Sequence, residues 1–376
     1  MRFALTGSRV FDGDTIRTGV AVLVEDTRIA AIVEESQLDG DVPRRRLDGG
    51  LLAPGFIDVQ VNGGGGTLFN ADPSPQGIAR LAQAHRRFGT TGLLPTVITD
   101  RPQVLERAIA AVRAARAADV PGVLGIHAEG PFLDPPRRGA HDAHHIRQIA
   151  DADVAALESA DCGALMLTLA PNRVAPALIA RLARAGILVS LGHSAAAGDE
   201  AQAALAAGAR AFTHLFNAMS QMENRKPGMV GVALADRESY CSIIADGHHV
   251  DDITLKVALA AKPRDRIMLI TDAMSTAAGG PDSFDLQGRL VTRVDGRLEL
   301  DDGTLAGSDL TMDAAVRHCV AKLGLPLEDA LRSASLNPAT FLGRDHDLGR
   351  IAPGHLASLV HLNDALQVCN TWINGA

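Results

Sequence analysis

Between residues 52 and 272 the chain alternates short apolar runs with alanine-rich amphipathic stretches, and few folds accept that rhythm. The runs lie near 52–61, 92–98, 122–128, 164–169, 186–192, 209–214, 241–245 and 267–272. Helix spacing and helix ends mark the stretches between most of them: 75–87 opens on proline and 198–208 closes on glycine. Strand runs that alternate with helices predict a parallel sheet with crossover helices. Eight such units in roughly 220 residues fit an α/β fold, a (β/α)8 TIM-like barrel. A doubly wound open sheet shares the rhythm but does not naturally converge side chains from so many strands.

The two ends read differently. Residues 20–33 are two β-branched runs around Glu25-Asp26-Thr27, a hairpin, and 354–362 with 367–375 read as two more strands joined by a polar turn. This predicts a small β-sandwich domain formed from both termini, 1–53 and 345–376, around a barrel at 54–344. Between 276 and 308 the helix signals thin out. There 285–290 reads as a hairpin, and 303–308 as a tight loop crossing the barrel mouth.

A net charge of −8 argues against nucleic-acid binding, which favours a basic stripe. Any anionic ligand must then meet a local basic pocket. Cys162, Cys241, Cys319 and Cys369 are scattered and form no CxxC pair, as expected of thiols in a reducing compartment. The first residues lack a sustained apolar core like that of a secretion signal, and no apolar run nears the ~18 residues of a membrane span. The expectation is a cytoplasmic enzyme with no membrane and no nucleic-acid partner.

Four of the apolar runs stop on chemically active side chains: Glu129, His193, His214 and Asp272. A lone histidine at a strand end is usually structural. Two imidazoles and a carboxylate on separate strands of one barrel are a ligand set for one zinc-like divalent ion, with a position left for water. Asp272 is then the proton carrier, a general base toward the activated water and an acid toward the leaving group. His127, two residues before Glu129, points to the same barrel face one layer deeper, either to support the site or as a satisfied core histidine. A second group suits an anion: Arg225 and Lys226 before Pro227-Gly228, and His248 and His249 after Asp246-Gly247. Solvated surface charge is the plainer reading of Arg225 and Lys226.

Linked segments carry a resemblance. Pro54-Gly55-Phe56-Ile57-Asp58, His127-Ala128-Glu129-Gly130-Pro131, Gly139-Ala140-His141, Gly192-His193-Ser194, His214-Leu215-Phe216-Asn217-Ala218-Met219, Asp246-Gly247-His248-His249, Thr271-Asp272-Ala273 and Leu305-Ala306-Gly307-Ser308 together resemble the N-acetylglucosamine-6-phosphate deacetylases, a branch of the amidohydrolase superfamily. The resemblance implies metal-dependent hydrolysis of N-acetyl-D-glucosamine 6-phosphate to D-glucosamine 6-phosphate and acetate. It makes Glu129, His193 and His214 the metal ligands and Asp272 the proton carrier, with His141 beside the substrate amide. It assigns Ala140, Asn217, Ala218, Arg225, His249, Leu305, Ala306 and Gly307 to the sugar phosphate. It also implies a homodimer in which Arg225 and His249 cross the interface. Many members of the superfamily end the first strand on His-x-His and bind two metals; here Gln60 and Asn62 stand at those positions. Amides are weak ligands for such ions, so one divalent metal per subunit is expected, Zn2+ first, with Fe2+, Co2+ and Mn2+ also suited. The rivals are an amidohydrolase for another N-acetylated sugar phosphate, such as N-acetylgalactosamine 6-phosphate, and a non-catalytic sugar-phosphate sensor, which would need no proton carrier.

Overall fold

Eight parallel strands make the central sheet of the computed structural model, which describes residues 2–376. They are β1 (Phe56–Val61), β2 (Thr90–Ile98), β3 (Gly125–Glu129), β4 (Ala164–Leu169), β5 (Leu188–Leu191), β6 (Ala211–Phe212), β7 (Tyr240–Ile243) and β8 (Ile267–Leu269), each hydrogen-bonded to the next in sequence order. The segment just past β8 closes the ring. Asp272 N–H donates to Gln60 O (3.0 Å), and Asn62 N–H donates to Ala273 O (2.9 Å). The expected barrel is therefore present, sealed at the level of the predicted site.

Helices return the chain between most strands. The helix Pro75–Arg86 starts where the Ser74 side chain accepts from Gly77 N–H (3.0 Å) and turns Ile78, Leu81 and Ala82 to the barrel. Pro102–Ala117 does the same with Val104, Ala108, Val112 and Ala115. Alanine on these faces lets the helices approach the sheet closely, and the apolar side chains of β1–β8 complete one continuous core.

The ends of the chain form two further sheets. Arg28–Glu34, Val20–Glu25, Arg2–Thr6 and Arg44–Arg46 make one; Val368–Trp372, Leu359–Leu362, Leu51–Pro54, Arg9–Phe11 and Ile16–Arg17 make the other. Phe3, Leu5, Val22, Val24 and Ile29 of the first pack with Leu52, Leu359 and Trp372 of the second in a core of their own. The apolar run at 52–61 is not one strand. It breaks at Gly55, where a Cβ would lie 2.1 Å from Thr91 Oγ1, so Leu51–Pro54 joins the terminal sheet and Phe56–Val61 the barrel.

The single hairpin expected near 285–290 is a three-stranded antiparallel sheet, Ser283–Leu286, Arg289–Val294 and Arg297–Leu300. Leu286, Val291 and Leu298 bury its inner face against Ile98, Met274 and Ala306 at the barrel mouth. All four cysteines are free thiols, three of them buried. Among the described residues no helix is long and apolar enough to cross a membrane.

Candidate active site

Glu129 closes β3, and the chain turns away at Gly130 (φ 88°), where a Cβ would meet Thr99 Oγ1 at 2.2 Å. The other three residues lie just beyond their strands in left-handed backbone: His193 (φ 46°), His214 (φ 34°) and Asp272 (φ 53°). That conformation is uncommon outside glycine, although Asp and His adopt it more readily than most, and it costs on the order of 1 kcal/mol each. Backbone bonds hold it. His193 O accepts from Asp134 N–H (3.0 Å), His214 N–H donates to Ser242 Oγ (2.9 Å), and Asp272 O accepts from Ser308 N–H (2.9 Å). The kink at each strand end swings its side chain over the barrel axis.

There the donor atoms converge. Glu129 Oε1 is 3.2 Å from His193 Nε2 and 3.0 Å from His214 Nε2, and the two Nε2 atoms are 3.0 Å apart. Donors bound tetrahedrally at ~2.0–2.1 Å stand about 3.3 Å from one another, so this triangle fits one divalent ion. Arg137 O accepts from His193 Nδ1–H (2.9 Å), which leaves the Nε2 lone pair facing the triangle. His214 Nδ1 is buried without a partner, and its ring packs edge-on against His193 at 4.8 Å.

Asp272 stands beside this triangle. Gln60 Nε2 donates to both Glu129 Oε1 and Asp272 Oδ1 (3.1 Å each), and Asn62 Nδ2 donates to Asp272 Oδ1 (2.6 Å). The Gln60 amide thus bridges the two carboxylates, and Asn62 adds a second donor to Asp272. Burial first, then the Glu129 charge, pushes the Asp272 carboxyl up to about 6, against the pull of His214 and Asn62. Burial pushes Glu129 up as well, but the His193 and His214 imidazoles beside it outweigh that and hold its carboxyl well below the usual range. A cation in the triangle would lower both carboxyls further.

His141 is buried against His193, with ring centroids 4.4 Å apart, and its Nε2 lies 3.8 Å from Glu129 Oε2. Burial, then His193, pushes it down to about 3, so the ring is neutral. Its Nδ1 accepts from Thr99 N–H (3.3 Å), which places the ring's one proton on Nε2, toward the site. His127 is a satisfied core histidine: Nε2 pairs with Thr168 Oγ1 (2.7 Å) one layer below, and burial pushes it down to about 4.

A cavity of about 380 Å³ opens over these groups, in the size range of small-molecule sites. Glu129, His141, His193, His214, Asp272 and Asn62 line it, with Ala140, Asn217, Ala218, His249, Leu305 and Gly307. Ala306 is buried behind its two neighbours. His249 reaches the cavity from its own chain, not across an interface as expected. Asp246 accepts from the N–H groups of His248 and His249 (2.8 and 2.9 Å) and from His249 Nδ1 (2.6 Å), and this tight turn folds the ring inward. Arg225 is exposed on its loop and does not line the cavity. The sequence reading missed Ile98, Pro136, Arg137, Ile244, Met274 and Thr304, all of which line it. Arg137 and Met274 flank recognised segments, but nothing in an apolar side chain's identity separates cavity wall from core.

Comparison with known proteins places this architecture. The Amidohydrolase family model matches residues 51–376, and the NagA composite domain model matches residues 2–52. An N-acetylgalactosamine-6-phosphate deacetylase from Shewanella sp. (strain ANA-3) is 44% identical over 87% of this chain and 82% of its own length. The N-acetylglucosamine-6-phosphate deacetylase of Homo sapiens is 38% identical over 87% of this chain and 83% of its own. The crystal structure of the N-acetylglucosamine-6-phosphate deacetylase from Pasteurella multocida superposes with a TM-score of 0.97 at 34% identity, covering 100% of this chain and 99% of that one. The chain belongs to the amidohydrolase family, in the branch that holds the N-acetylglucosamine-6-phosphate and N-acetylgalactosamine-6-phosphate deacetylases.

Proposed function

We propose that this chain hydrolyses the acetamide of N-acetyl-D-glucosamine 6-phosphate, releasing acetate and D-glucosamine 6-phosphate. The observation that carries the reading is the meeting of Glu129, His193 and His214 with Asp272 in one cavity that also holds His141 and His249. Glu129, His193 and His214 would hold one divalent ion, Zn2+ first and Fe2+, Co2+ or Mn2+ by the same donor chemistry. When bound, such an ion supplies Lewis acidity that brings water's ionisation near neutral pH and polarises a carbonyl.

The remaining work falls to the chain's own groups. Both amides donate to Asp272 Oδ1, so Oδ2 is the oxygen left to take a proton from the attacking water. The same carboxyl then delivers that proton to the sugar nitrogen as the C–N bond breaks. Amide and water thus become amine and acetate with no other reactant. His141 Nε2–H points to where the substrate carbonyl oxygen would develop charge, a donor prearranged for that oxyanion. Asn217, Ala218 and the loop at Leu305-Ala306-Gly307 form the wall for the sugar, with Ala140 opposite. His249 meets the phosphate from the same chain. Arg225 reaches it from the partner subunit of a homodimer, a reading supported by its exposure on a loop outside its own cavity's lining.

Residues 1–53 with 345–376 serve as a β domain, and 54–344 as the catalytic barrel. The free thiols suit a cytoplasmic enzyme. A second reading, the galacto epimer as substrate, is favoured by the 44% identity to the N-acetylgalactosamine-6-phosphate deacetylase of Shewanella. The test is acetate release from both N-acetylated hexosamine 6-phosphates and their unphosphorylated forms, with metal quantified on the same sample. No release from either phosphate with metal bound would overturn the function. A strong preference for the galacto sugar would select the second reading.

A further inference from the structure

His141 is held by two backbone segments, and one turn of the mouth sheet grips both. Gln287 and Gly288 form a two-residue hairpin turn with φ 54° and 81°, the primed geometry that keeps flanking strands tightly paired. From this turn Gln287 Nε2 donates to Thr99 O (2.9 Å), and the N–H of Thr99 is the partner of His141 Nδ1. The next residue, Arg289, donates through Nη2 to Ala140 O (2.5 Å), the carbonyl of the peptide that leads into His141. Neither side chain lines the cavity. The turn is itself anchored, since Leu286 and Val291 pack on Ile98 and Met274, which do line it.

We propose that Gln287 and Arg289 are positioning residues, and that the mouth sheet aims the His141 Nε2–H at the substrate carbonyl through them. The inference rests on the role given to His141 in the proposed hydrolysis. The physical reason is geometric. The His141 ring makes one hydrogen bond, to Thr99 N–H, so rotation or shift of the Thr99 and Ala140 peptides turns its Nε2–H directly. Alignment of a donor with a developing oxyanion lowers the barrier only while that aim is kept. Both contacts lie outside the sugar's wall, so their loss should spare binding.

The test measures kcat and KM for acetate release by metal-loaded Arg289→Met, Arg289→Lys and Gln287→Glu enzymes, alone and in a His141→Ala background. Gln287→Glu keeps the side chain's shape but removes the donor. Arg289→Met and Gln287→Glu are each expected to lower kcat about tenfold, the worth of one lost hydrogen bond at a charged or aligned group, with KM within about twofold. Arg289→Lys, which retains a donor, should recover part of that loss. In the His141→Ala background neither change should lower kcat further, because residues acting through one group are not additive. Unchanged kcat in the single variants, or an equal loss with His141 absent, would overturn the proposal. A rise in KM alone would also overturn it, since that marks direct substrate contact. If the wild-type enzyme released no acetate, the proposed function would fail instead, so the two failures are distinguishable.

Discussion

The Asn62 side-chain amide donates to Asp272 Oδ1 across 2.6 Å, so it holds the carboxyl proposed as the proton carrier. Asn62 is 2% exposed, so bulk solvent has little access to that contact. The bond favours the ionised form of a carboxyl that burial would otherwise keep protonated. Asn62→Ala should therefore lower kcat by roughly ten- to a hundredfold, the worth of one hydrogen bond to a charged group, while bound metal stays at the wild-type level. Steady-state kinetics with metal analysis checks this. Wild-type kcat in the variant would show that Gln60 alone holds the carboxyl.

Asp272 itself is expected to carry the chemistry rather than the binding. Asp272→Asn keeps the shape of the side chain and removes its capacity to take a proton. Turnover should fall by about 10²–10⁴-fold, the usual worth of a positioned acid/base, with metal content and substrate affinity retained. Calorimetric titration of the variant with the sugar phosphate, beside a turnover assay, separates the two effects. Turnover at the wild-type rate would sink the mechanism.

Beneath Asp272 lies a second buried carboxyl. Asp58 accepts from Gln60 N–H (3.1 Å), Thr271 N–H (3.3 Å) and Thr271 Oγ1 (2.5 Å), and so pins the residue that precedes Asp272. Burial pushes its carboxyl up to about 7, against the pull of those bonds. The folded chain therefore holds a proton there that the unfolded chain releases near pH 4. Stability from this group is full below pH 4 and is lost as the pH rises toward 7, at about 1.4 kcal/mol per unit. Asp58→Asn, which cannot ionise, should remove that loss. Its melting temperature should gain on the wild type between pH 5 and 8, as read by calorimetry. Parallel pH profiles for the two proteins would show that Asp58 stays ionised in the fold.

How far the sequence could be read depends on which physics placed each residue. The strand runs and alanine-rich helices follow periodicity, and the barrel follows from them. Glu129 lies within the hydrogen-bonded ladder of β3, so its place at a strand end was legible. His193, His214 and Asp272 read as strand ends, but their left-handed backbone does not, since partners distant in sequence, Asp134, Ser242 and Ser308, hold it. For the same reason β6 and β8 are shorter than their apolar runs, and the run at 52–61 divides at Gly55 under the tertiary contact with Thr91. For His249 the resemblance implies a neighbouring subunit, whereas the turn built on the Asp246 carboxylate, a contact no motif displays, folds the ring into its own chain's cavity.

Metal removal should be felt in the fold as well as in turnover. Three ligands from β3, β5 and β6 meet at one point, so an ion there ties separate strands together. A ligand that binds only the folded state stabilises it by about 4 kcal/mol at a thousandfold excess over Kd. Chelation of the metal-loaded enzyme should lower the melting temperature by several degrees and abolish acetate release, and added Zn2+ should restore both. The same chelator should leave His193→Ala unmoved. A melting temperature indifferent to chelation in the loaded wild type would place the ion elsewhere.

The separate origins proposed for His249 and Arg225 can be told apart by mixing subunits. His249 and Asp272 serve the same chain's cavity, whereas Arg225 would serve its partner's. In a mixed dimer of Arg225→Ala and Asp272→Asn subunits, one site has its own Asp272 and receives the intact arginine. Random reassociation of equal amounts makes half the dimers mixed, so about a quarter of all sites should be whole and activity should recover to about that fraction. Mixing His249→Ala with Asp272→Asn should recover nothing, because neither site then holds both groups. Denaturation and refolding of the paired variants, followed by acetate release, reads the outcome. Recovery in the second mixture would return His249 to the partner, and no recovery in the first would keep Arg225 within its own chain or off the substrate altogether.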